Sequence, residues 1–272
     1  MNKISIITIT YNSEAVLEKT MRSILLQNYR PLEYIIVDGA SKDRTMDIVK
    51  RYYPIFLENS IEIKYISEPD SGISDAFNKG IRMASGDIIG IINSDDELRE
   101  GTLCKVAQSI GDEVDVFYGD CFWVDNQKGI SYVRKSSADL SDLRIKLKIL
   151  HPATFIRADA YDKFGMYDIH YKYCMDKQLL AKMYYNGAKF QYVEEVLVNV
   201  TAGGVSDRYL RGVMEEGKRI AIENGIPFWK AQILFEKNYF IVTAISTLKK
   251  NRFCAELISR IKKGNHERIR NN

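Results

Sequence analysis

The chain has 272 residues, 46% of them hydrophobic and 28% charged, with 5 Pro and a formal net charge of +3. That is ordinary globular composition, long enough for one large domain with an appendage or for two small ones, and no internal repeat or low-complexity run is present. It excludes an extensively disordered chain and a disulfide-stapled scaffold. The longest apolar stretch, Tyr239 to Leu248, is interrupted by Thr243 and Ser246 and falls short of the ~20 residues of a spanning helix.

The elements then alternate. Ile4 to Ile9 is a β-branched run typical of a buried strand, and it follows Met1-Asn2-Lys3 so directly that no signal peptide is expected. Ser13 is the expected N-cap of a helix whose apolar positions are Val16, Leu17, Met21, Ile24 and Leu25. Tyr34 to Val37 is a second strand, followed by a helix from about Arg44 to Tyr53 and a strand from Ile61 to Ile66. Ile73 to Met83 reads as helix, Asp87 to Asn93 as strand, Thr102 to Ile110 as helix and Val114 to Tyr118 as a fifth strand. Such alternation predicts a mostly parallel sheet with helices on both faces, and ligands then sit outside the carboxyl ends of the strands. Acidic residues fall just after four of these strands: Asp38, Asp70, Asp95-Asp96 and Asp120.

Beyond Asp120 the rhythm changes. Phe122 to Val124 and Ile130 to Val133 form a hairpin around Asn126-Gln127-Lys128-Gly129, and Thr154 to Ile156 is a short strand. Asp176 to Asn186 is a helix, Phe190 to Val193 and Val196 to Val200 are strands, and the pattern is helical from Ser206 onward. From Asp207 to the end there are 14 Lys or Arg against 7 Asp or Glu, a charge of +7, while the remainder has 25 against 29, or −4. The tail is either a solvated helical face or a surface for an anionic partner such as a membrane or a phosphate-bearing acceptor. Its mixture of Phe228, Trp229, Ile233 and Phe240 with Lys230, Lys237, Lys249, Lys250 and Arg252 suits peripheral membrane contact or packing on the protein itself. Cys104, Cys121, Cys174 and Cys254 are scattered, with no zinc-site spacing, which fits a cytoplasmic location. No nucleic-acid partner is expected.

The densest chemical signal is Asn93-Ser94-Asp95-Asp96 at a strand end. Adjacent carboxylates repel one another, and they become useful around a hard divalent cation such as Mg2+ or Mn2+ that also takes phosphate oxygens. The alternative is a helix-capping pair before Leu98. Asp38 is either a turn residue or a hydrogen-bond acceptor for ribose or base, with Gly39 allowing close backbone approach to a ligand. Ser41 and Asp43 read as helix caps, and Asp75 is either the i,i+4 partner of Lys79 or a nucleotide contact.

Thr8 to Asn12, Val37 to Thr45, Glu68 to Gly80, Ser85 to Asp87 and Asn93 to Asp96, in this order and spacing, resemble the family 2 glycosyltransferases of GT-A fold. The resemblance covers roughly residues 3 to 205. It implies a GT-A catalytic domain over 1–205, with a nucleotide-sugar half over about 1–120 and an acceptor half over about 121–205, and a helical, basic amphipathic extension over 206–272. It further implies that Thr10, Asn12, Asp38, Asp75 and Asp95 contact the nucleotide and that Asp96, with Asp95, holds Mg2+ or Mn2+. The family's base is an acidic residue opening a helix, here Asp176, whose other reading is an N-cap; Met175 replaces the acidic neighbour that many members carry. Gln178 is followed by Leu179, Leu180, Ala181 and Lys182, so the Gln-x-x-Arg-Trp motif of processive synthases is absent.

His151 lies in a segment that resembles one beside the acceptor pocket, and it is either a diphosphate or acceptor contact or a structural histidine. Thr201 to Ser206 resembles a loop that closes over the donor. The implied activity is inverting, metal-dependent, non-processive transfer of a sugar from a nucleotide-diphosphate donor, UDP preferred. The implied acceptor is a saccharide or lipid-linked saccharide of bacterial surface-polysaccharide assembly. Two alternatives stand beside it. One is a nucleotidyltransferase, disfavoured by Thr10-Tyr11-Asn12-Ser13-Glu14 where a glycine-rich basic loop would stand, and the other is a degenerate nucleotide-sugar binding module.

Overall fold

The computed structural model describes residues 2–125, 128–203 and 209–250, with side chains to residue 244. Asn126 and Gln127 of the expected turn, Gly204 to Ser206 of the expected donor loop, Arg252 and Cys254 lie outside the described residues, as do the side chains of Lys249 and Lys250.

Strands β1 (Ile4–Thr10), β2 (Leu32–Asp38), β3 (Ile61–Ser67) and β4 (Ile88–Ile91) are parallel and ordered β3-β2-β1-β4. Side chains alternate along them, so each strand feeds two cores. Ile4, Ile6, Tyr34 and Ile36 join a cluster with Leu17 and Met21 of α1 (Leu17–Leu25), Val49 and Phe56 of α2 (Thr45–Glu58) and Leu103 of α4 (Thr102–Ser109). On the other face, Ile7 is covered by α3 (Ile73–Met83). A Cβ at Gly80 of α3 would stand 2.4 Å from Ile7 Cγ2, so only glycine lets this helix lie flat on the sheet.

The sheet continues through β8 (Thr154–Arg157), β6 (Val116–Asp125), β9 (Phe190–Thr201) and β5 (Glu97–Leu98), with β7 (Ile130–Arg134) paired to β6. β6 and β9 are parallel, whereas β8, β7 and β5 run against their neighbours. A 3-10 turn over His151–Ala153, α5 (Ala158–Phe164) and α6 (Met175–Tyr185) complete this part. The fold is α/β with a mostly parallel sheet and helices on both faces, as expected.

Several local expectations are corrected. Asp120 does not follow a strand; it lies inside β6, where register shifts on both sides mark a bulge. The bulge turns its buried carboxylate onto Ser136 N–H at 2.9 Å and Tyr192 O–H at 2.9 Å. The fifth strand and the first arm of the hairpin are thus one element, and the two last strands merge into β9. Ser13 is not the side-chain cap of α1: a turn in which its carbonyl accepts from Val16 and Leu17 precedes the helix, and its hydroxyl reaches Ser94 Oγ at 3.0 Å. α2 runs on past Pro54, because the ring removes only the bond to the carbonyl of exposed Lys50 while Phe56 beyond it is fully buried.

At the amino ends of the strands, away from the acidic loops, one buried carboxylate ties the sheet together. Glu33 accepts from Lys64 Nζ at 2.6 Å, from Ser85 N–H and Oγ–H at 2.8 Å each, and from Ser5 Oγ–H. Burial opposes its ionisation, yet these donors outweigh burial and hold its pKa at about 2.

The described chain divides between Tyr209 and Leu210 into two compact units. The second unit contains α7 (Leu210–Glu223) and α8 (Phe228–Lys250), which pack on one another, with Ile220, Ala221, Ala231 and Phe235 buried.

Glu33→Gln is expected to cost about 1.5–3 kcal/mol of stability at neutral pH, read by denaturant unfolding. Because the folded pKa is depressed, the gap between wild type and variant should be full above pH 4.5 and shrink as the pH falls toward 2.

Candidate active site

The carboxyl ends of β1, β2 and β4 and the loop after β3 open into a cleft of about 930 Å³. Thr10, Gly39 and Asp70 stand on one side of it, the Asn93–Asp96 turn at its centre, and Trp123, Arg134, His151 and Asp176 on the other side. This follows from the topology: β4 separates the β3-β2-β1 block from β8, β6 and β9.

The central turn is held from two directions. Thr20 Oγ–H of α1 reaches the carbonyls of Ser94 at 2.8 Å and Asp96 at 2.7 Å. Thr201, at the end of β9, donates its hydroxyl to the Asp95 carbonyl at 3.0 Å and its N–H to Asp96 Oδ1 at 3.3 Å. Asn93 Nδ2 donates to Asp96 Oδ2 at 3.1 Å. Asp96 is 2% exposed, and burial, reinforced by the neighbouring Asp95 charge, pushes its pKa up to about 7. Burial also raises Asp95, whose side chain faces the cleft.

Among the described residues, no group of three or more His, Cys, Asp or Glu forms a self-sufficient metal cage. Two carboxylates are nevertheless what Mg2+ or Mn2+ takes from protein when phosphate oxygens and water fill the other positions. The raised pKa of buried Asp96 marks a carboxylate short of positive charge. The residues fit the group.

Asp176 sits in the first turn of α6, half-buried on the cleft wall, and one of its oxygens accepts the Lys177 N–H at 2.7 Å. α6 is positioned through α3. Asn78 Nδ2 donates to the Tyr167 carbonyl at 2.8 Å, Tyr167 N–H donates back to Asn78 Oδ1 at 3.0 Å, and Ser74 Oγ–H reaches the Tyr171 carbonyl at 3.0 Å. Buried Lys177 donates Nζ–H to the Ile145 carbonyl at 2.8 Å, which fixes the other flank.

His151 stacks on Phe77 with ring centroids 5.3 Å apart, and its Nε2 shares a 2.8 Å hydrogen bond with Tyr167 Oη. Burial lowers its pKa, with the Asp176 charge pulling the other way. His151 therefore combines a structural clamp with a place on the cleft wall.

The structure brings Thr10, Asp95, Asp96, His151 and Asp176 into the same cleft. The buried hydroxyl of Thr10 has no hydrogen-bond partner among the described residues. Asn12, Asp38 and Asp75 stand behind the residues that wall this cleft, where they bond to the loops at its edge. Asn12, at φ 49°, accepts Lys42 N–H at 2.9 Å and donates its own N–H to Ser41 Oγ at 2.8 Å. Asp38 is fully buried and accepts from Ser41 N–H at 3.0 Å, Ser67 Oγ–H at 2.6 Å and Ser41 Oγ–H. Asp75 accepts Ser71 N–H at 3.0 Å and lies 3.7 Å from Lys79 Nζ.

Two further cleft residues, Trp123 and Arg134, carry no signal in the strand and helix patterns. The Arg134 guanidinium lies 4.9 Å from the Trp123 ring centroid. The pairing of Trp123 with Tyr132 across the β6–β7 hairpin is the feature that could point to them. Asp70, one of the acids expected after a strand, reaches the cleft: a Cβ at Gly39 would stand 2.6 Å from its Oδ2, so glycine is what permits this approach.

The sequence model of the family described as Glycosyl transferase family 2 matches residues 5–177, a span that contains every one of the candidate residues above. A PGL/p-HBAD biosynthesis glycosyltransferase of Mycobacterium bovis is 31% identical over 208 residues, covering 75% of this chain and 78% of the relative. Among solved structures, Staphylococcus aureus TarS 1–349 in complex with UDP-GlcNAc superposes with a TM-score of 0.64 at 20% identity, over 86% of this chain and 70% of that one. A mannosyltransferase from Pyrobaculum calidifontis, in complex with GDP-Man and Mn2+, gives a TM-score of 0.62 at 16% identity over 96% and 80%. The two structures share the GT-A fold with this chain, and the extent of the family match, together with the mycobacterial relative, shows that the chain belongs to glycosyl transferase family 2.

Proposed function

We propose that this cleft performs an inverting, non-processive transfer of one sugar from a nucleotide-diphosphate donor, UDP-linked by preference, to a hydroxyl of a saccharide or lipid-linked saccharide. The observation that carries the reading is the convergence on one cleft of two adjacent carboxylates, one of them buried, and, from another element, a carboxylate at a helix start. The UDP-GlcNAc bound by TarS and the GDP-Man and Mn2+ bound by the Pyrobaculum enzyme support a nucleotide-sugar donor here.

In this reading Thr10, Asn12, Asp38, Asp75 and Asp95 contact the nucleotide, and Asn12, Asp38 and Asp75 also hold the loops that receive it. Asp96 and Asp95 would hold Mg2+ or Mn2+, which supplies charge neutralisation to the departing diphosphate. Asp176 accepts the proton of the acceptor hydroxyl as its oxygen bonds to the anomeric carbon and the bond to the diphosphate breaks, with the electron pair leaving on the diphosphate. One displacement inverts the anomeric centre. The Trp123 ring, also in the cleft, offers a stacking face to a sugar. The tail's membrane contact and a place in surface-polysaccharide assembly belong to the same proposal.

Calorimetric titration of UDP and GDP, with and without Mn2+, tests the donor site. Binding of one nucleotide only when metal is present, lost in Asp96→Asn, is the expected result; metal-independent binding unaffected by that variant would contradict it. Asn78→Ala removes both bonds to Tyr167, and a loss of about 2 kcal/mol in unfolding free energy is expected. Sugar transfer should fall more than nucleotide affinity does, since the bonds position α6 and leave the carboxylate pair untouched.

A further inference from the structure

The two sides of α8 have different surroundings. Ala231 and Phe235 are buried on the side packed with α7. Trp229, Ile233 and Phe240 stand at i, i+4 and i+11, which places them in one stripe along the helix. They are 65%, 62% and 74% exposed. Lys230 and Lys237, at i+1 and i+8, run along one edge of that stripe, and both are exposed. Phe228, Ile241 and Val242 are exposed on other sides of the helix, but Trp229, Ile233 and Phe240 are the three that line up along it, and such a run marks a contact surface.

Charge selects the occupant. The stripe contains one acid, Glu236, which accepts from Gln232 Nε2 at 3.0 Å. After residue 244 the sequence adds 8 Lys or Arg against 2 Glu, an excess of +6. A second copy of the chain would bring the same charge and be repelled; an anionic surface would be attracted. Trp and Phe with flanking Lys suit the headgroup boundary of a bilayer, where the apolar ring enters and the ammonium stays in the polar layer. Among the described residues no helix is long and apolar enough to cross a membrane, so the contact is interfacial.

We propose that the Trp229–Ile233–Phe240 stripe of α8, edged by Lys230 and Lys237, docks this protein on an anionic lipid surface. The proposal rests on the membrane contact put forward with the function and names its residues; because it makes no use of the cleft, its failure would leave the transfer chemistry untouched. Its consequence is kinetic: an enzyme held at a bilayer meets a lipid-linked acceptor by diffusion in two dimensions.

Co-sedimentation of the full chain with vesicles of phosphatidylcholine alone and of phosphatidylcholine mixed with phosphatidylglycerol tests it. The chain should sediment with the mixed vesicles, weakly or not at all with the neutral ones, and less as salt is raised. Trp229→Glu combined with Phe240→Glu should weaken binding at least about tenfold. Lys230→Gln and Lys237→Gln should each weaken it about fivefold. All four positions are exposed, and circular dichroism with thermal unfolding confirms that each variant is folded. Equal sedimentation with both vesicle types, sedimentation with neither, or undiminished binding by the Trp229/Phe240 variant would overturn the proposal. A dimer that becomes monomeric in that variant, without vesicle binding by the wild type, would assign the stripe to a second copy instead.

Discussion

Two adjacent carboxylates, one of them sealed from water, are fixed at the end of β4 with no cationic side chain paired to them among the described residues. Left alone, such a pair keeps its proton or resists folding, and the raised pKa of Asp96 is the direct expression of that conflict. The scaffold imposes the arrangement all the same: Thr20 from α1 and Thr201 from β9 clamp the backbone of the turn, and Asn93 orients the Asp96 carboxylate. Hydrogen bonds from three segments thus hold two like charges together at one end of the sheet.

The same sheet solves the opposite problem at its other end. Glu33 is as buried as Asp96, yet donors from β1, β3 and the turn before β4 surround it, and its pKa moves down instead of up. The contrast separates the two carboxylates by environment: one is saturated with donors, the other is kept short of them. Asp38 and Asp120 are also buried and bonded by their own neighbourhoods. The acids that line the cleft are Asp70, Asp95, Asp96 and Asp176.

Much of this is legible in the amino-acid sequence. The β-branched runs of β1 and β2 and the apolar spacing of α3 specify their elements locally, and the parallel-sheet rule then places the Asn93–Asp96 turn and the segment after β1 at one end. What is not legible depends on contacts distant in sequence. The bulge that turns Asp120 inward follows from the pairing of β6 with β9, residues more than seventy positions apart. The Trp123–Arg134 pair needs the register of the β6–β7 hairpin, and the His151–Phe77–Tyr167 stack joins three segments with no common periodicity. Asp38 shows the limit most clearly. Its position after a strand suggests a ligand contact, and only the placement of Ser41 and Ser67 reveals how fully its oxygens are engaged.

The central claim is that the Asp95–Asp96 pair and Asp176 divide donor activation and acceptor deprotonation within one cleft. The most direct measurement is transfer of labelled sugar from a nucleotide-sugar set to a saccharide acceptor panel by Asp176→Asn, with nucleotide affinity measured on the same preparation. The account predicts unchanged metal-dependent nucleotide binding and a loss of about 10²–10⁴-fold in transfer. Near-normal turnover by a folded Asp176→Asn protein would contradict it.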